Sequence, residues 1–334
     1  MINTLSRQLD EVRGPFRTVY IGGGTPTALR PGLLENLLTV LEKRVDGFSE
    51  FTIEVNPDSI DREKMSLFLD KRVNRLSIGV QSFNDDKLKR LGRIHDGVTA
   101  RDAVLSAHRA HFRNINIDMI FGLRQETVEE WAGDLKAAVS LPVQHISCYC
   151  LTYEKNEARE EKAALMYEYA TDELSRNGFM QYEISNFSKD GCRCLHNMNY
   201  WDNGPYIGLG PSAVSYIDGE RGENTRDISE YIERADTGRS PAISYERLTP
   251  ERGARETAAV KIRTMEGIDF EWFRQKTGFE FMDLEEKALP GLIEKGLIEY
   301  IFQAGAGFQS RLGTAVRLTQ KGKLFCDIVS SAFL

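Results

Sequence analysis

Three consecutive glycines, Gly22, Gly23 and Gly24, are the residues most clearly arranged for chemistry, and Thr25 follows them in TVYIGGGTPTAL. The pattern predicts a strand before this turn and a helix after it. Glycines at such a turn let a ligand approach the backbone, and the helix N-terminus offers unpaired N–H groups. The spacing is not that of a phosphate loop, because GxxxxGK[ST] is absent and Thr27 stands where GxGxxG needs its last glycine. A purely structural turn stays open on this pattern alone.

Cysteine and histidine side chains form a second set. Cys148 and Cys150 stand two residues apart on a predicted strand, so both point to one face, and core packing is the favoured interpretation. Cys192, Cys194 and His196 share a loop, and such ligands suit a soft metal or an iron porphyrin. A closed zinc site needs a fourth ligand, which the spacing does not supply.

Alternating strands and helices must position these residues. We predict strands near Thr18–Ile21, Phe51–Val55, Arg75–Val80, Asn116–Ile120 and Gln144–Tyr149, with helices near Leu33–Lys43, Arg62–Lys71, Thr99–His111 and Thr127–Ser140. This alternation favours a parallel sheet covered by helices, because each parallel crossover needs a helix-length return. Ligands of such folds gather at the carboxyl ends of the strands, where the glycine turn lies.

Composition excludes several classes of protein. With 41% hydrophobic and 28% charged residues, the chain of 334 residues is typical of a soluble globular protein. The 43 Lys and Arg residues against 50 Asp and Glu residues give a net charge of −7, which argues against a nucleic-acid partner. The first residues, MINTLSRQLDEV, lack a signal peptide, and five cysteines are not a disulfide framework. We therefore expect a cytoplasmic protein without a membrane span.

Two changes in the pattern of predicted secondary structure divide the chain into three parts. Residues 1–185 carry the strand–helix units, residues 186–247 are rich in loops, and residues 248–334 combine helices with a hairpin-like stretch. We expect the last part to be a separate small domain.

Several motifs, in this order and spacing, indicate a family. IGGGTPT, EVNPDS, LSIGVQSFN…LGRIHD and NIDMIFGL closely resemble the radical S-adenosylmethionine family of oxygen-independent coproporphyrinogen III oxidase-like proteins. The downstream YEISNF…CLHNMNYW…YIGLGPSAVSY resembles the haem chaperone branch of that family. The resemblance covers essentially the whole chain. It implies a partial parallel (β/α)6 barrel with S-adenosylmethionine across the strand ends, followed by a small winged-helix-like C-terminal domain.

The resemblance also implies roles for individual residues. Gly22, Gly23, Gly24 and Thr25 match the motif that receives the methionine amino group. Glu54 and Arg93 match positions near the amino acid end of the cofactor, and Gln81 and Asp118 match positions that bind the ribose hydroxyls. A zwitterion needs an anionic and a cationic partner, and a cis-diol suits a carboxylate or amide acceptor. For any one of these residues, a bond to backbone at a strand end stays open.

One family feature is missing. Radical S-adenosylmethionine proteins hold a 4Fe-4S cluster with CxxxCxxC after the first barrel strand, and this sequence contains no such motif. The barrel is therefore expected to lack its first strand and its cluster loop, through truncation or natural loss. Neither pair of nearby cysteines reproduces the motif, so no metal ligands are assigned and no radical chemistry is expected.

The segment HNMNYW resembles the HNxxYW motif of the haem chaperone branch. Cys194, His196, Tyr200 and Trp201 are haem candidates, because a porphyrin uses an axial Cys or His and aromatic faces. A structural role, in which these residues attach a long loop segment to the barrel, stays open.

The resemblance implies a haem-handling protein that delivers haem to acceptor proteins, with a homodimer possible. A non-catalytic protein that binds S-adenosylmethionine or porphyrin is the alternative. Decarboxylation of coproporphyrinogen III is a third function, and it needs the missing cluster.

Overall fold

The computed structural model describes residues 1–12, 14–151, 157–302 and 313–334. A seven-stranded sheet organises the first part of the chain, in the spatial order β1-β2-β3-β4-β5-β7-β6. Its strands are β1 Thr18–Ile21, β2 Glu50–Val55, β3 Arg75–Gln81, β4 Ile115–Phe121, β5 His145–Cys150, β6 Met180–Gln181 and β7 Asn186–Ser188. The first five strands are parallel, and β7 and β6 add antiparallel pairs beside β5. The predicted parallel sheet is confirmed.

Seven helices accompany this sheet. They are α1 Ile2–Glu11, α2 Pro31–Glu42, α3 Arg62–Asp70, α4 Asp85–Arg90, α5 Gly97–Arg109, α6 Val128–Val139 and α7 Glu157–Arg176. Four of them begin at a side-chain cap: Asp61, Asn84, Asp96 and Thr127 each accept a hydrogen bond from the amide three residues later. Each such cap stabilises its helix by about 1 kcal/mol.

The two faces of the sheet differ in polarity, because successive strand residues point to opposite faces. On β2, Phe51 and Ile53 join the apolar core beneath the helices, whereas Glu50, Thr52 and Glu54 point the other way. We call this second side the polar face. It also carries Ser77 on β3, Asn116 and Asp118 on β4, and His145 and Ser147 on β5. The polar face is where side chains are available for chemistry.

A second, antiparallel sheet follows in the region that the sequence predicts as rich in loops. Strands β8 Val214–Ile217, β9 Glu220–Asn224 and β10 Ala242–Arg247 pair in the order β10-β9-β8. Helix α8, Leu195–Trp201, precedes this sheet, and α9, Ile228–Asp236, connects its last two strands. The central strand of this sheet, β9, escaped prediction because its sequence ERGEN has no apolar side chain and no alternating pattern.

The C-terminal part has an apolar cluster of its own, which includes Ile262, Phe273 and Val316. Its elements are α10 Pro250–Lys261, β11 Ile268–Asp269, α11 Phe270–Thr277, α12 Phe281–Leu284, α13 Leu289–Glu294, β12 Ile298–Ile301, β13 Ala315–Leu318, α14 Gln320–Leu324 and α15 Cys326–Ala332. The strands form a three-stranded antiparallel sheet. The boundaries at residues 185 and 247 stay predictions. Within the described ranges, every helix is too short or too polar to cross a membrane.

Candidate functional site

The glycine turn after β1 is bare because neighbouring atoms leave no room for a side chain at its start. A Cβ added to Gly22 would lie 2.8 Å from Cδ of Glu54. Gly23 and Gly24 adopt φ angles of 78° and 132°, which favour glycine, and a Cβ on either would meet nothing within 4 Å. The turn therefore exposes backbone to open space at the carboxyl end of the sheet.

Glu54 places a carboxylate beside this turn. Its Oε1 accepts a hydrogen bond from the hydroxyl of Tyr20 at 2.9 Å, and its Oε2 accepts one from the amide of Gly23 at 3.2 Å. Burial raises the pKa of Glu54, and the bond from Tyr20 opposes that shift. An acceptor in this position suits an ammonium group that approaches the glycine backbone.

Gln81 ends β3 in a left-handed conformation, with φ of 64°. Its side chain turns back over Gly79, where an added Cβ would lie 2.9 Å from Nε2 of Gln81. On the neighbouring strand end, Nδ2 of Asn56 donates to the hydroxyl of Thr25 at 3.0 Å. Gln81, at the end of β3, and Thr25, in the loop after β1, thus lie at the same edge of the sheet.

Asp118 is half-buried on β4 and accepts two hydrogen bonds. Its Oδ1 accepts from Nδ2 of Asn116 at 2.9 Å, and its Oδ2 accepts from the hydroxyl of Ser77 at 3.1 Å. Burial nevertheless raises the pKa of Asp118. Each carboxylate oxygen has a second lone pair, so the group can accept hydroxyl donors from a ligand.

Arg93 lies on the loop after α4 and is half-buried. Its Nε is buried and has no hydrogen-bond partner among the residues that the structure describes. Its backbone amide donates to the carbonyl of Leu88 at 2.9 Å, which fixes the loop against the helix. The Nε–H group of Arg93 is therefore a buried donor without a partner among the described residues.

A buried ion cluster, which sequence analysis missed, holds the segment between Gln81 and Arg93. The ammonium of Lys87 on α4 contacts Glu126 and lies 2.9 Å from Oδ2 of Asp134, and the Lys87 and Glu126 side chains are fully buried. Asp134 also accepts hydrogen bonds from the hydroxyl of Ser82 and the amide of Phe83. The cluster joins α4 to α6 and to the loop after β4.

The haem candidates lie on or next to α8, which packs against β1. Glu50 accepts hydrogen bonds from the amides of Leu195 and His196, at 2.9 and 3.1 Å. Nδ1 of His196 lies 2.8 Å from the hydroxyl of Thr18, and Nε2 lies 3.1 Å from the hydroxyl of Tyr200. Both ring nitrogens of His196 are therefore engaged within the protein.

Cys194 and Trp201 also make internal contacts. Burial raises the pKa of Cys194 to about 12, so it is a thiol at neutral pH, and its Sγ lies 3.4 Å from Oε1 of Glu50. The ring of Trp201 lies 5.4 Å from the guanidinium carbon of Arg263. These contacts give both residues structural roles in the conformation described, while their role in haem binding stays a prediction.

Aromatic rings form a row from β1 to the second sheet. The ring centroids of Tyr20 and His196 lie 5.1 Å apart, those of His196 and Tyr200 5.0 Å, and those of Tyr200 and Tyr206 4.7 Å. Tyr200 is exposed, and the other three are half-buried. We call these four residues the aromatic row.

The cysteines do not assemble a metal centre in the described part of the chain. Cys148 is buried, whereas Cys150 is exposed, so the prediction that both pack in the core is wrong for Cys150. Cys150 is the last residue of β5, whose final two residues are exposed. Among the described residues, no group of three His, Cys, Asp or Glu side chains is placed to hold a metal ion. The residues described do not fit a 4Fe-4S cluster.

Comparison with known proteins defines the class to which this fold belongs. The sequence model of the Radical SAM superfamily matches residues 2–138. The solved structure of coproporphyrinogen III oxidase (HemN) from Escherichia coli, a radical SAM enzyme, matches with a TM-score of 0.82 and covers 99% of this chain and 82% of that chain. At 20% sequence identity this likeness concerns the fold. The fold is that of the radical SAM proteins.

Curated relatives narrow the class. A protein named "Heme chaperone HemW" from Bacillus subtilis strain 168 is 34% identical over 100% of this chain and 89% of the relative. The proteins of the same name from Lactococcus lactis and Escherichia coli K12 are 36% and 31% identical, over 85% and 100% of this chain and 78% and 88% of those relatives. The chain belongs to the family of HemW haem chaperones.

Proposed function

We propose that this chain binds haem as a cargo and delivers it to haem-accepting proteins in the cytoplasm. The observation that carries the proposal is the identity of 34% to a relative named "Heme chaperone HemW" over the full length of this chain. The aromatic row supports it, since the exposed ring of Tyr200 offers a face on which a porphyrin can stack.

We also propose that the carboxyl edge of the sheet binds S-adenosylmethionine. The bare backbone at Gly23 and Gly24, beside the Glu54 carboxylate, supports binding of the methionine ammonium group. Arg93 supplies the cation for the methionine carboxylate, which a guanidinium can bind through two hydrogen bonds. The acceptors for the ribose hydroxyls are Gln81 and Asp118, as the family resemblance implies.

The polypeptide with this sequence is proposed not to cleave S-adenosylmethionine reductively. Its five cysteines include no CxxxCxxC, and the described residues do not fit the cluster that would supply the electron. The same reason disfavours decarboxylation of coproporphyrinogen III. Formation of 5′-deoxyadenosine after anaerobic reconstitution and dithionite reduction would overturn this part of the proposal.

Haem ligation by His196 requires the ring to leave at least one partner. Its nitrogens are engaged by Thr18 and Tyr200, so the ring must rotate or release Tyr200 before Nε2 can reach iron. Cys194 would have to lose its proton from a buried thiol. Of the two candidates, we propose His196, because its ring is less buried.

Haem titration followed by optical spectroscopy tests the proposal. We expect a saturable Soret band for the unmodified chain, a shifted or weakened band for His196→Ala, and an unchanged band for the control His108→Ala, whose exposed histidine lies on α5. Failure of the unmodified chain to saturate would overturn haem binding. An unaltered spectrum for His196→Ala would overturn only the choice of ligand.

A further inference from the structure

Hydrogen bonds connect the N-terminus of α8 to Asp118 across the polar face. The backbone amide of Cys194 donates to the hydroxyl oxygen of Tyr182 at 3.3 Å, and that oxygen lies 2.8 Å from Nε2 of His145. Nδ1 of His145 lies 2.6 Å from Oδ1 of Asn116, whose Nδ2 donates to Asp118. Tyr182, His145 and Asn116 are all buried, so water does not compete for these bonds.

When Asp118 is ionised, its carboxylate fixes the direction of every bond in this series. A carboxylate only accepts, so Asn116 must present its NH₂ group to Asp118 and its carbonyl to His145. His145 therefore donates from Nδ1. Burial lowers the pKa of His145 well below its usual range, which keeps the ring neutral and leaves Nε2 as an acceptor. Tyr182 must then donate to Nε2 while it accepts from the amide of Cys194.

We propose that Tyr182 and His145 are positioning residues for Asp118, and that through them the placement of α8 influences the carboxylate that receives the ribose. The inference rests on the proposed binding of S-adenosylmethionine. Loss of the Tyr182 hydroxyl removes the donor to Nε2, so His145 is free to adopt the Nε2–H tautomer. The Asn116 carbonyl then loses the donor from His145 and keeps only that from Ser147, so the amide that donates to Asp118 and Ser77 is held less firmly.

A matched pair of variants tests the effect on ligand binding. Tyr182→Phe removes the hydroxyl from the series of hydrogen bonds. Tyr231→Phe is the control, because Tyr231 is equally buried and its hydroxyl also has two partners. It accepts a hydrogen bond from the backbone amide of Gly210 at 2.9 Å and donates one to Gln8. By equilibrium dialysis with S-adenosylmethionine, we expect about fivefold or greater weakening for Tyr182→Phe, from the loss of one buried hydrogen bond, and no change for Tyr231→Phe. Unchanged affinity in Tyr182→Phe overturns the inference.

A second readout works without ligand. Nitrogen-15 NMR of protein with labelled histidines reports the tautomer of His145, which we expect to be Nδ1–H in the unmodified chain. Asp118→Asn removes the charge that fixes the series and should produce an Nε2–H population. An Nε2–H ring in the unmodified chain, or no change in Asp118→Asn, overturns the inference even if Tyr182→Phe fails to fold. Absence of S-adenosylmethionine binding by the unmodified chain contradicts the proposed function instead, and the tautomer still decides this inference.

Discussion

Oε1 of Glu50, on a strand of the sheet, accepts a hydrogen bond at 3.1 Å from the amide of His196, a residue 146 positions later in the chain. Cys194, at the N-cap position of α8, makes no capping bond with its own side chain. A residue of the sheet thus performs the capping that the local sequence does not supply. The relationship fixes the helix that carries the haem candidates against the polar face.

Replacement of this carboxylate should loosen α8. We expect Glu50→Gln to lower the free energy of unfolding by about 1–2 kcal/mol, because the neutral amide loses the charge that favours a helix N-terminus and one of the acceptors. Urea denaturation measures the change. Glu35→Gln, at an exposed position on α2, is the control and should be neutral. Equal stability of the two variants would contradict the capping role.

A methyl group at the start of the glycine turn should displace Glu54. In Gly22→Ala the new Cβ would lie 2.8 Å from the carboxylate carbon, so Glu54 must give up its bonds to Tyr20 and Gly23. We expect a loss of about 1–3 kcal/mol, typical of overpacking, together with weaker S-adenosylmethionine binding. Gly32→Ala, in α2 with open space around the added Cβ, should instead gain about 0.5–1 kcal/mol. Thermal unfolding of the pair would refute the argument if both changed alike.

Removal of the buried ammonium should be among the most damaging single changes. In Lys87→Met the carboxylates of Glu126 and Asp134 stay buried without their cation, which costs about 3–5 kcal/mol. Lys89→Met removes a lysine from the same helix whose side chain is 76% exposed, and should cost less than about 0.5 kcal/mol. Chemical denaturation compares them. If neutralising both carboxylates in the Lys87→Met background restores no stability, the ion cluster is not the cause.

One carboxyl group should make stability depend on pH. Burial raises the pKa of Glu285 from 4.5 to about 7, although Arg255 lies 3.3 Å away and opposes the shift. The folded state therefore holds this proton more tightly than the unfolded state. Its contribution to the free energy of unfolding decreases as pH rises from 4.5 to about 7 and stays low above that value.

Glu285→Gln should therefore stabilise the protein by about 1–2 kcal/mol at pH 8 and have much less effect at pH 4.5. Unfolding at both pH values measures the difference. Glu286→Gln, at the adjacent exposed position, should show no such dependence. A gain of the same size at both pH values would show that Glu285 is ionised throughout.

The parallel sheet and its helices could be predicted because their signals are local. Apolar strands, capping residues such as Thr127 and the glycine turn each occupy a few consecutive positions, so the bounds agree within a few residues. The left-handed backbone of Gln81 could not be predicted, since glutamine has no preference for it.

The sequence could not predict which side chains that are distant along the chain contact one another in the fold. Lys87 and Asp134 are 47 positions apart, and His196 and Thr18 are 178 positions apart. A motif indicates that His196 belongs to a special segment, but only the fold shows that hydroxyl groups engage both of its nitrogens. The same holds for Asn116 and Tyr182: both stand in segments that resemble family motifs, but only the fold shows that His145 lies between them.

The alternation on β2 also specifies how this strand aligns with β1. Glu50 and Glu54 point to the polar face of this strand, whereas Phe51 and Ile53 point to the opposite, apolar face. A slip of one residue against β1 would exchange the two faces, so that both carboxylates would point toward the helices and both apolar side chains toward the polar face. Such a pairing buries unpartnered charge and is therefore disfavoured. The carboxylates of the polar face thus also discriminate against incorrect strand alignments.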